Sequence, residues 1–153
     1  MRKFDKKKWK PAVNRELSDP LLRQCCLKRG GITFAEVTLV DDPHPRPREI
    51  DGIRFQSRVR KLETWSADDP TQFREFRDLL CDARRNHRKV EVIEVSPMID
   101  RGTIGQVVVA SWLLEQRKVK VRKVIVCQEA GVALKEFLAK HDIEVWSPSH
   151  CDR

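Results

Sequence analysis

Short runs of β-branched residues alternate along the chain with longer segments whose apolar residues recur at helical spacing. The β-branched runs predict strands at 32–40, 48–55, 90–95, 121–127 and 142–146. The segments with helical spacing predict helices at 18–29, 72–85, 103–116 and 131–141. The predicted order is therefore helix, strand, strand, helical insert, strand, helix, strand, helix, strand.

This order predicts an α/β fold with a mixed central β-sheet flanked by helices. Strands that alternate with helices in the second half require parallel pairing through right-handed crossovers. The proline-broken segment 41–48 predicts a loop that joins the first two strands as an antiparallel hairpin. With 153 residues the chain is long enough for one core. We expect a basic arm over 1–17 and a single domain over 18–153, with the helical insert at 56–89.

The same alternation predicts which side chains face the core. In the first strand, Phe34 and Glu36 are expected on one face and Val37 and Leu39 on the other. The apolar residues of helix 103–116 are expected to be largely buried: Ile104, Val107, Val108, Trp112, Leu113 and Leu114.

Charge narrows the class of partner. The net charge of +8 and the pI near 9.5 favour a polyanion, with nucleic acid ahead of a membrane surface. No apolar run reaches the ~18 residues of a membrane span, and no hydrophobic signal core follows the N-terminus. We therefore expect a cytoplasmic protein without a membrane partner. Its cysteines, which include the adjacent Cys25 and Cys26, form no CxxC pair and are expected to be reduced.

The cations cluster in the N-terminal arm, in the proline-rich loop and on one face of the insert helix. Each cluster has two possible interpretations, a surface that binds phosphates or a face that only contacts solvent. The candidate nucleic-acid-binding residues are Lys6, Lys7, Lys8, Arg46, Arg48, Arg74, Arg77, Arg84 and Arg85.

Carboxylates within strands provide the candidate chemistry. Glu94 and Ser96 are two residues apart at the end of a strand that Pro97 stops, so they are expected on one face. A buried carboxylate is costly unless it pairs with a metal ion or a second acid, and Asp51 on a neighbouring strand is such an acid. Glu36 is a third candidate acid, with an ion pair to an arginine as its alternative role.

The set formed by Asp51, by Glu94-x-Ser96 and by Gly105-Gln106 at the opening of a helix resembles the PD-(D/E)XK, or restriction-endonuclease-like, nuclease superfamily. The resemblance extends over roughly Leu21 to Trp146. It implies a restriction-endonuclease-like αβββαβ core with a helical insert and a C-terminal αβ unit. It further implies a metal-dependent nuclease that hydrolyses DNA phosphodiesters, in repair, recombination or mobile-element biology. Asp51, Glu94 and the backbone carbonyl of Val95 would hold Mg²⁺ or Mn²⁺.

The chain departs from the superfamily at Ser96, which stands where the family has its catalytic lysine. Arg101 or Lys123 could supply the missing cation, or Ser96 could support slow catalysis. Alternatively, the chain is a catalytically inactive nuclease-like module that binds nucleic acid or a protein partner. Gln106 is expected either to bind the attacking water or phosphate, or to be an exposed polar residue near the helix start. A plain α/β domain in which Asp51 and Glu94 form structural ion pairs also stays open, as do a homodimer and a larger nucleoprotein assembly.

Overall fold

The computed structural model describes residues 18–39, 49–66 and 68–148. The proposed phosphate-binding residues of the N-terminal arm and of the proline-rich loop lie outside these ranges: Lys6, Lys7, Lys8, Arg46 and Arg48. Within the described ranges, none of the helices has the length and apolar content that a membrane span requires.

The described residues form an α/β fold with a mixed sheet flanked by helices, as the hydrophobic pattern predicts. The strands are β1 Ile32–Thr38, β2 Glu49–Phe55, β3 Lys61–Thr64, β4 Lys89–Val95, β5 Lys120–Val126 and β6 Ile143–Trp146. The helices are α1 Ser18–Arg29, α2 Pro70–Arg85, α3 Arg101–Glu115 and α4 Val132–Lys140.

The strands form one six-stranded sheet in the order β3-β1-β2-β4-β5-β6. The strand β2 is antiparallel to β1 and β4, whereas the other neighbouring pairs are parallel. The strands other than β2 therefore end at the same edge of the sheet, where α2, α3 and α4 begin. We call this edge the carboxyl edge. Ligands of open α/β sheets usually bind at the carboxyl ends of the strands.

The two faces of the sheet are covered unequally. Apolar residues of α2, α3 and α4, among them Phe76, Leu114 and Leu138, pack into one core cluster with Ile53 and Val92 of the sheet. On the other face α1 is the one helix of the described residues that packs over β4 and β5, in a second cluster that contains Leu22, Cys25, Ile93 and Val124. Residues of β4 thus alternate between the two clusters, as a strand covered on both faces requires.

The segment 56–89 is not wholly helical, in contrast to the prediction. Its residues 61–64 form β3, which extends the sheet beyond β1 by parallel pairing, Ile32 with Lys61 through Ala35 with Thr64. The strand escapes the hydrophobic pattern because it is short and Leu62 is its only apolar residue.

The predicted burial of helix 103–116 was wrong for two residues. Val108 is 43% exposed and Trp112 is 53% exposed. The helix rests on only one face of the sheet, so its apolar content exceeds what the core covers.

Candidate active site at the carboxyl edge

Three acidic residues, one on each of three neighbouring strands, occupy one row across the sheet. In the antiparallel register of β1 and β2, the position of Glu36 lies opposite Asp51, between the pairs Ala35–Gly52 and Val37–Ile50. The β2–β4 ladder ends at Gly52–Ile93, so the next position places Asp51 beside Glu94. The register therefore aligns the backbone positions of acids that are up to 58 residues apart in the sequence, from Glu36 to Glu94.

Asp51 joins β2 to β4 beyond the last backbone pair. Its Oδ2 accepts a hydrogen bond of 2.8 Å from the backbone N–H of Val95. The N–H and C=O of one strand residue point to the same side of the strand, so the Val95 carbonyl lies on the side of Asp51. Asp51 and the Val95 backbone are thus neighbours, as the resemblance requires of its proposed metal ligands.

Glu36 marks a kink in β1. Its φ is 60°, in the left-handed region that a residue with a Cβ rarely adopts and that costs about 1–3 kcal/mol. The kink shifts the alternation by one residue, because Val37 and Leu39 pack in the same cluster as Phe34, on the face of α2 and α3. The predicted opposition of Phe34 to Val37 and Leu39 was therefore wrong. The strain lies in the row of carboxylates.

Glu94 faces α3 across a cleft of about 590 Å³, which we call the α3 cleft. Glu94 is 4% exposed, so its carboxylate lies at the floor. The cleft is open to solvent between the start of β2 and the first turns of α3. Its lining residues are Glu49, Ile50, Glu94, Gly102, Gly105, Gln106, Val109, Ala110 and Leu113.

Of two polar residues that line the α3 cleft, the sequence motif identifies one and not the other. Gln106 lies on the wall of the α3 cleft and is exposed, facing the same space as Glu94. Glu49 is a second carboxylate of the cleft, which the sequence motif does not identify. Its position at the first residue of β2 is not distinctive, and only the fold brings it to the cleft.

The N-terminal cap of α3 sets the position of Gln106 on the wall of the α3 cleft. Asp100 is the N-cap, and its Oδ1 accepts hydrogen bonds from the Thr103 N–H at 2.8 Å and from the Thr103 hydroxyl at 2.9 Å. These hydrogen bonds hold the pKa of Asp100 below its usual value. The helix consequently begins at Arg101, and Gln106 lies in its second turn.

Ser96 lies just beyond β4 and does not line the α3 cleft. Its hydroxyl donates to the backbone carbonyl of Met98, within the turn that follows the strand. Its backbone N–H donates to the Val126 carbonyl at 2.9 Å, which continues the pairing with β5. The residue at the family's lysine position is thus engaged in the turn.

The two candidate cations lie at different places. Arg101 is exposed at the first residue of α3. Lys123 is half-buried on β5, where it pairs with Val92, while Glu94 pairs with Ile125. Alternation places Lys123 on the same face of the sheet as Glu94 and diagonally across from it, within the reach of a long side chain.

The arginines of α2 are exposed but separated along the helix. Arg74 and Arg77 lie in its first half, towards the carboxyl edge. Arg84 and Arg85 lie in its last turn, at the end of the sheet where β4 begins, and Arg84 donates to the carbonyl of Arg117 at 2.6 Å. The first two are therefore nearer the edge that holds Glu94.

A different buried carboxylate, Glu91, faces α1 and is paired in full. Arg54 Nη1 lies 2.6 Å from Glu91 Oε2, Arg29 donates to Glu91 Oε1, and Arg122 lies 3.7 Å away. Arg54 also donates to the carbonyls of Gly30 and Arg29 at the end of α1. This cluster ties α1 to the sheet.

Among the described residues, no group of three or more histidine, cysteine or carboxylate side chains has the arrangement of a metal site. Asp51 and Glu94 are two carboxylates, which fits Mg²⁺, since this ion usually takes one or two protein carboxylates and completes its shell with water and phosphate. Comparison with known proteins finds no matching family model, no similar curated protein and no similar solved structure.

Proposed function

We propose that the protein is a metal-dependent nuclease of the PD-(D/E)XK type that hydrolyses DNA phosphodiesters at the α3 cleft. The observation that carries the proposal is the neighbouring position of Asp51 and Glu94, which the register and the Asp51–Val95 hydrogen bond both support. A restriction-endonuclease-like core is part of the same proposal. The antiparallel pairing of β2 with β4, followed by α3 and a parallel β5, supports it.

In this proposal Asp51, Glu94 and the Val95 carbonyl hold Mg²⁺ or Mn²⁺. Such an ion supplies charge neutralisation at the scissile phosphate and lowers the pKa of a bound water. Glu94 is buried, so the protein surroundings screen its charge less than water would, and a cation beside it is held more strongly.

The remaining chain residues orient the substrate and supply positive charge. Gln106 can donate its amide to a phosphate or accept from a water in the α3 cleft. We assign the missing cation to Lys123, because the register places it on the face of Glu94 and a lysine side chain is long enough to span the diagonal from β5. Arg101 is exposed at the first residue of α3 and has no role in this proposal.

The substrate assignment rests on charge. A chain of net charge +8 attracts polyanions, and Arg74 and Arg77 extend the cationic surface towards the carboxyl edge. These arginines would meet phosphates rather than base edges, so we expect salt-dependent binding with little sequence preference.

The test is cleavage of plasmid and oligonucleotide DNA in Mg²⁺ and in Mn²⁺. Asp51→Asn and Glu94→Gln should each lower the rate by at least about 100-fold. Lys123→Met should lower it by at least about tenfold, whereas Arg101→Ala should change it little, since Arg101 has no role in this proposal. Asp78→Asn, an exposed carboxylate of α2, is the matched control and should leave the rate unchanged.

One variant separates two arrangements of the metal. If the ion were held by Glu49 and Glu94 within the α3 cleft, Glu49→Gln would abolish cleavage and Asp51→Asn would not. Full activity of Glu94→Gln would refute both arrangements.

A second function is favoured by Ser96. Its hydroxyl is engaged by the Met98 carbonyl, and it carries no charge, which supports a catalytically inactive module that binds nucleic acid. In that case the wild type binds DNA in a salt-dependent manner but does not cleave it. Ser96→Lys restores the family motif, and a gain of at least about tenfold, or ~1.4 kcal/mol of barrier, would indicate a site that lacks only its cation. Binding without cleavage in both proteins would establish the binding module.

A further inference from the structure

The outer face of α3 carries large apolar side chains that the core does not cover. Val108 is 43% exposed, and Trp112, one turn further along, is 53% exposed. Together with the exposed residues Arg101, Gly105 and Glu115 they form a line along the helix, which we call the α3 stripe. The steps of four, three, four and three residues along this line match the seam of a helix that packs against another helix.

The charges at the two ends of the α3 stripe oppose the helix dipole. Arg101 occupies the first position of α3 and Glu115 the last, and the helix has no acidic residue in its first turn and no basic residue in its last. A cation at the start and an anion at the end are each unfavourable in an isolated helix. Neither charge is therefore explained by the stability of α3 itself.

Gly105 is also unexplained by the packing of the monomer. A Cβ at this position would have no atom within 4 Å, and the residue has ordinary helical backbone angles. Glycine inside a helix costs about 1 kcal/mol relative to alanine. At Gly105 the outer surface of α3 therefore carries no side chain, beside the α3 cleft that the residue also lines.

We propose that the α3 stripe is a two-fold interface with a second copy of this chain, in which two α3 helices pack antiparallel and centred on Val108. When the stripe is reversed against itself, each position meets its complement. Arg101 faces Glu115 of the second copy, and Val108 meets its equivalent. Gly105, three residues before the centre, lies beside Trp112 of the second copy, four residues after it, and its missing side chain leaves room for the indole ring. The centre lies midway between the ends, seven residues from each.

A second copy fits the α3 stripe better than nucleic acid or an unrelated protein does. The stripe carries one positive and one negative end and an apolar centre, so it has no net attraction for a polyanion. Two-fold pairing explains the charges and the glycine together, because an isologous interface must be complementary to itself. A single pair of crossing helices buries less than the ~1,200 Å² of a standard interface, so we expect a dimer of micromolar affinity.

The test is sedimentation equilibrium of the full chain from about 5 to about 500 µM, a range that brackets micromolar affinity. Wild type should pass from monomer to dimer over this range. Arg101→Glu and Glu115→Arg should each weaken the dimer by at least about tenfold, because each places two like-charge pairs across the interface. Both substitutions favour the helix dipole, so a weaker dimer cannot be ascribed to a weaker helix.

The matched control is the charge swap. The double variant Arg101→Glu/Glu115→Arg restores opposite charges across the two-fold axis and should dimerise as the wild type does. An equimolar mixture of the two single variants should form a heterodimer, since one chain then presents two anions and the other two cations. Trp112→Ala should also abolish dimerisation, and far-UV circular dichroism should show each variant folded.

Several results would overturn the inference. A wild type that stays monomeric throughout the concentration range excludes the dimer. A dimer that persists unchanged in both single variants and in Trp112→Ala uses another surface. Failure of the double variant and of the mixture to recover the dimer would refute the antiparallel pairing of Arg101 with Glu115. None of these readouts depends on nuclease activity.

Discussion

The buried cluster around Glu91 supports a quantitative prediction about stability. Glu91→Gln keeps the size and shape of the side chain but removes its charge. Glu91 is 3% exposed and Arg54 is 8% exposed, so the substitution leaves a cation in the protein interior without its carboxylate. The amide of the new side chain also presents a donor to a guanidinium that has only donors.

The expected cost follows from the contacts. Arg54 and Glu91 are separated by 2.6 Å, and Arg29 contacts the other oxygen of Glu91. Two unit charges about 4 Å apart interact by about 4 kcal/mol at an effective dielectric of about 20, and removal of one partner from a buried pair costs about 3–5 kcal/mol. Arg54 keeps its hydrogen bonds to the carbonyls of Gly30 and Arg29, which lowers the penalty. We therefore expect a loss of about 3 kcal/mol in the free energy of unfolding.

The measurement is urea unfolding at neutral pH, followed by far-UV circular dichroism. Glu144→Gln is the matched control, because Glu144 also pairs with Arg29, at 2.6 Å, but its side chain is 42% exposed. An exposed pair is worth about 0–1 kcal/mol, so the two isosteric changes should differ by at least ~2 kcal/mol. Double substitution of Arg54→Met and Glu91→Leu should recover much of the loss, since it removes both charges.

A loss below about 1 kcal/mol in Glu91→Gln, with an unchanged denaturant slope, would refute this reasoning. It would mean that water reaches the cluster and that α1 is held to the sheet by its apolar residues alone. A loss of equal size in Glu144→Gln would show that burial does not decide the strength of these pairs.

Two further predictions concern ionisation. Burial raises the pKa of Cys26 to about 11, whereas Cys81 is exposed. In a Cys151→Ser background, a thiol reagent at pH near 8 should therefore label Cys81 at once and Cys26 only on unfolding. Equal labelling rates of the two thiols would contradict the burial of α1. Asp100 has a lowered pKa, so its stabilisation of α3 is present above the usual aspartate pKa and is lost as the pH falls through the lowered value. Asp100→Asn keeps the N-cap hydrogen bond but removes the titrating group, so the protein should lose less stability at acid pH than the wild type does. Urea unfolding midpoints of both proteins from about pH 2 to about pH 6 would measure this difference. The same pH profile in both proteins would contradict the prediction.

The pattern of apolar residues predicted most of the elements because local periodicity depends on the chain itself. The strands at Val90 and Val121 and the helices at Gln72 and Thr103 were found within a few residues of their bounds. The strand β3 was missed, because four residues with one apolar side chain carry no periodicity. The start of α3 was placed two residues late, since the capping role of Asp100 depends on a hydrogen bond to Thr103.

The residues of the candidate site were likewise predicted only in part from the sequence. The sequence identifies Asp51 and Glu94 as carboxylates in strands, but their neighbouring position depends on antiparallel pairing between segments 43 residues apart. It places Ser96 on the face of Glu94, whereas the structure engages its hydroxyl with Met98. Glu49 reaches the α3 cleft only because β2 begins there.

The sequence by itself determined the α/β class, the helices, the basic charge and the identity of the acids, because these depend on residue type and local spacing. Tertiary structure alone decided what each charged side chain faces. Glu91 and Glu94 are three residues apart on one strand, yet alternation sends the first to the arginines beneath α1 and the second to the α3 cleft. What lies over each face of a sheet is a property of the whole chain, and so the same residue type became a structural anchor in one place and a candidate ligand in the other.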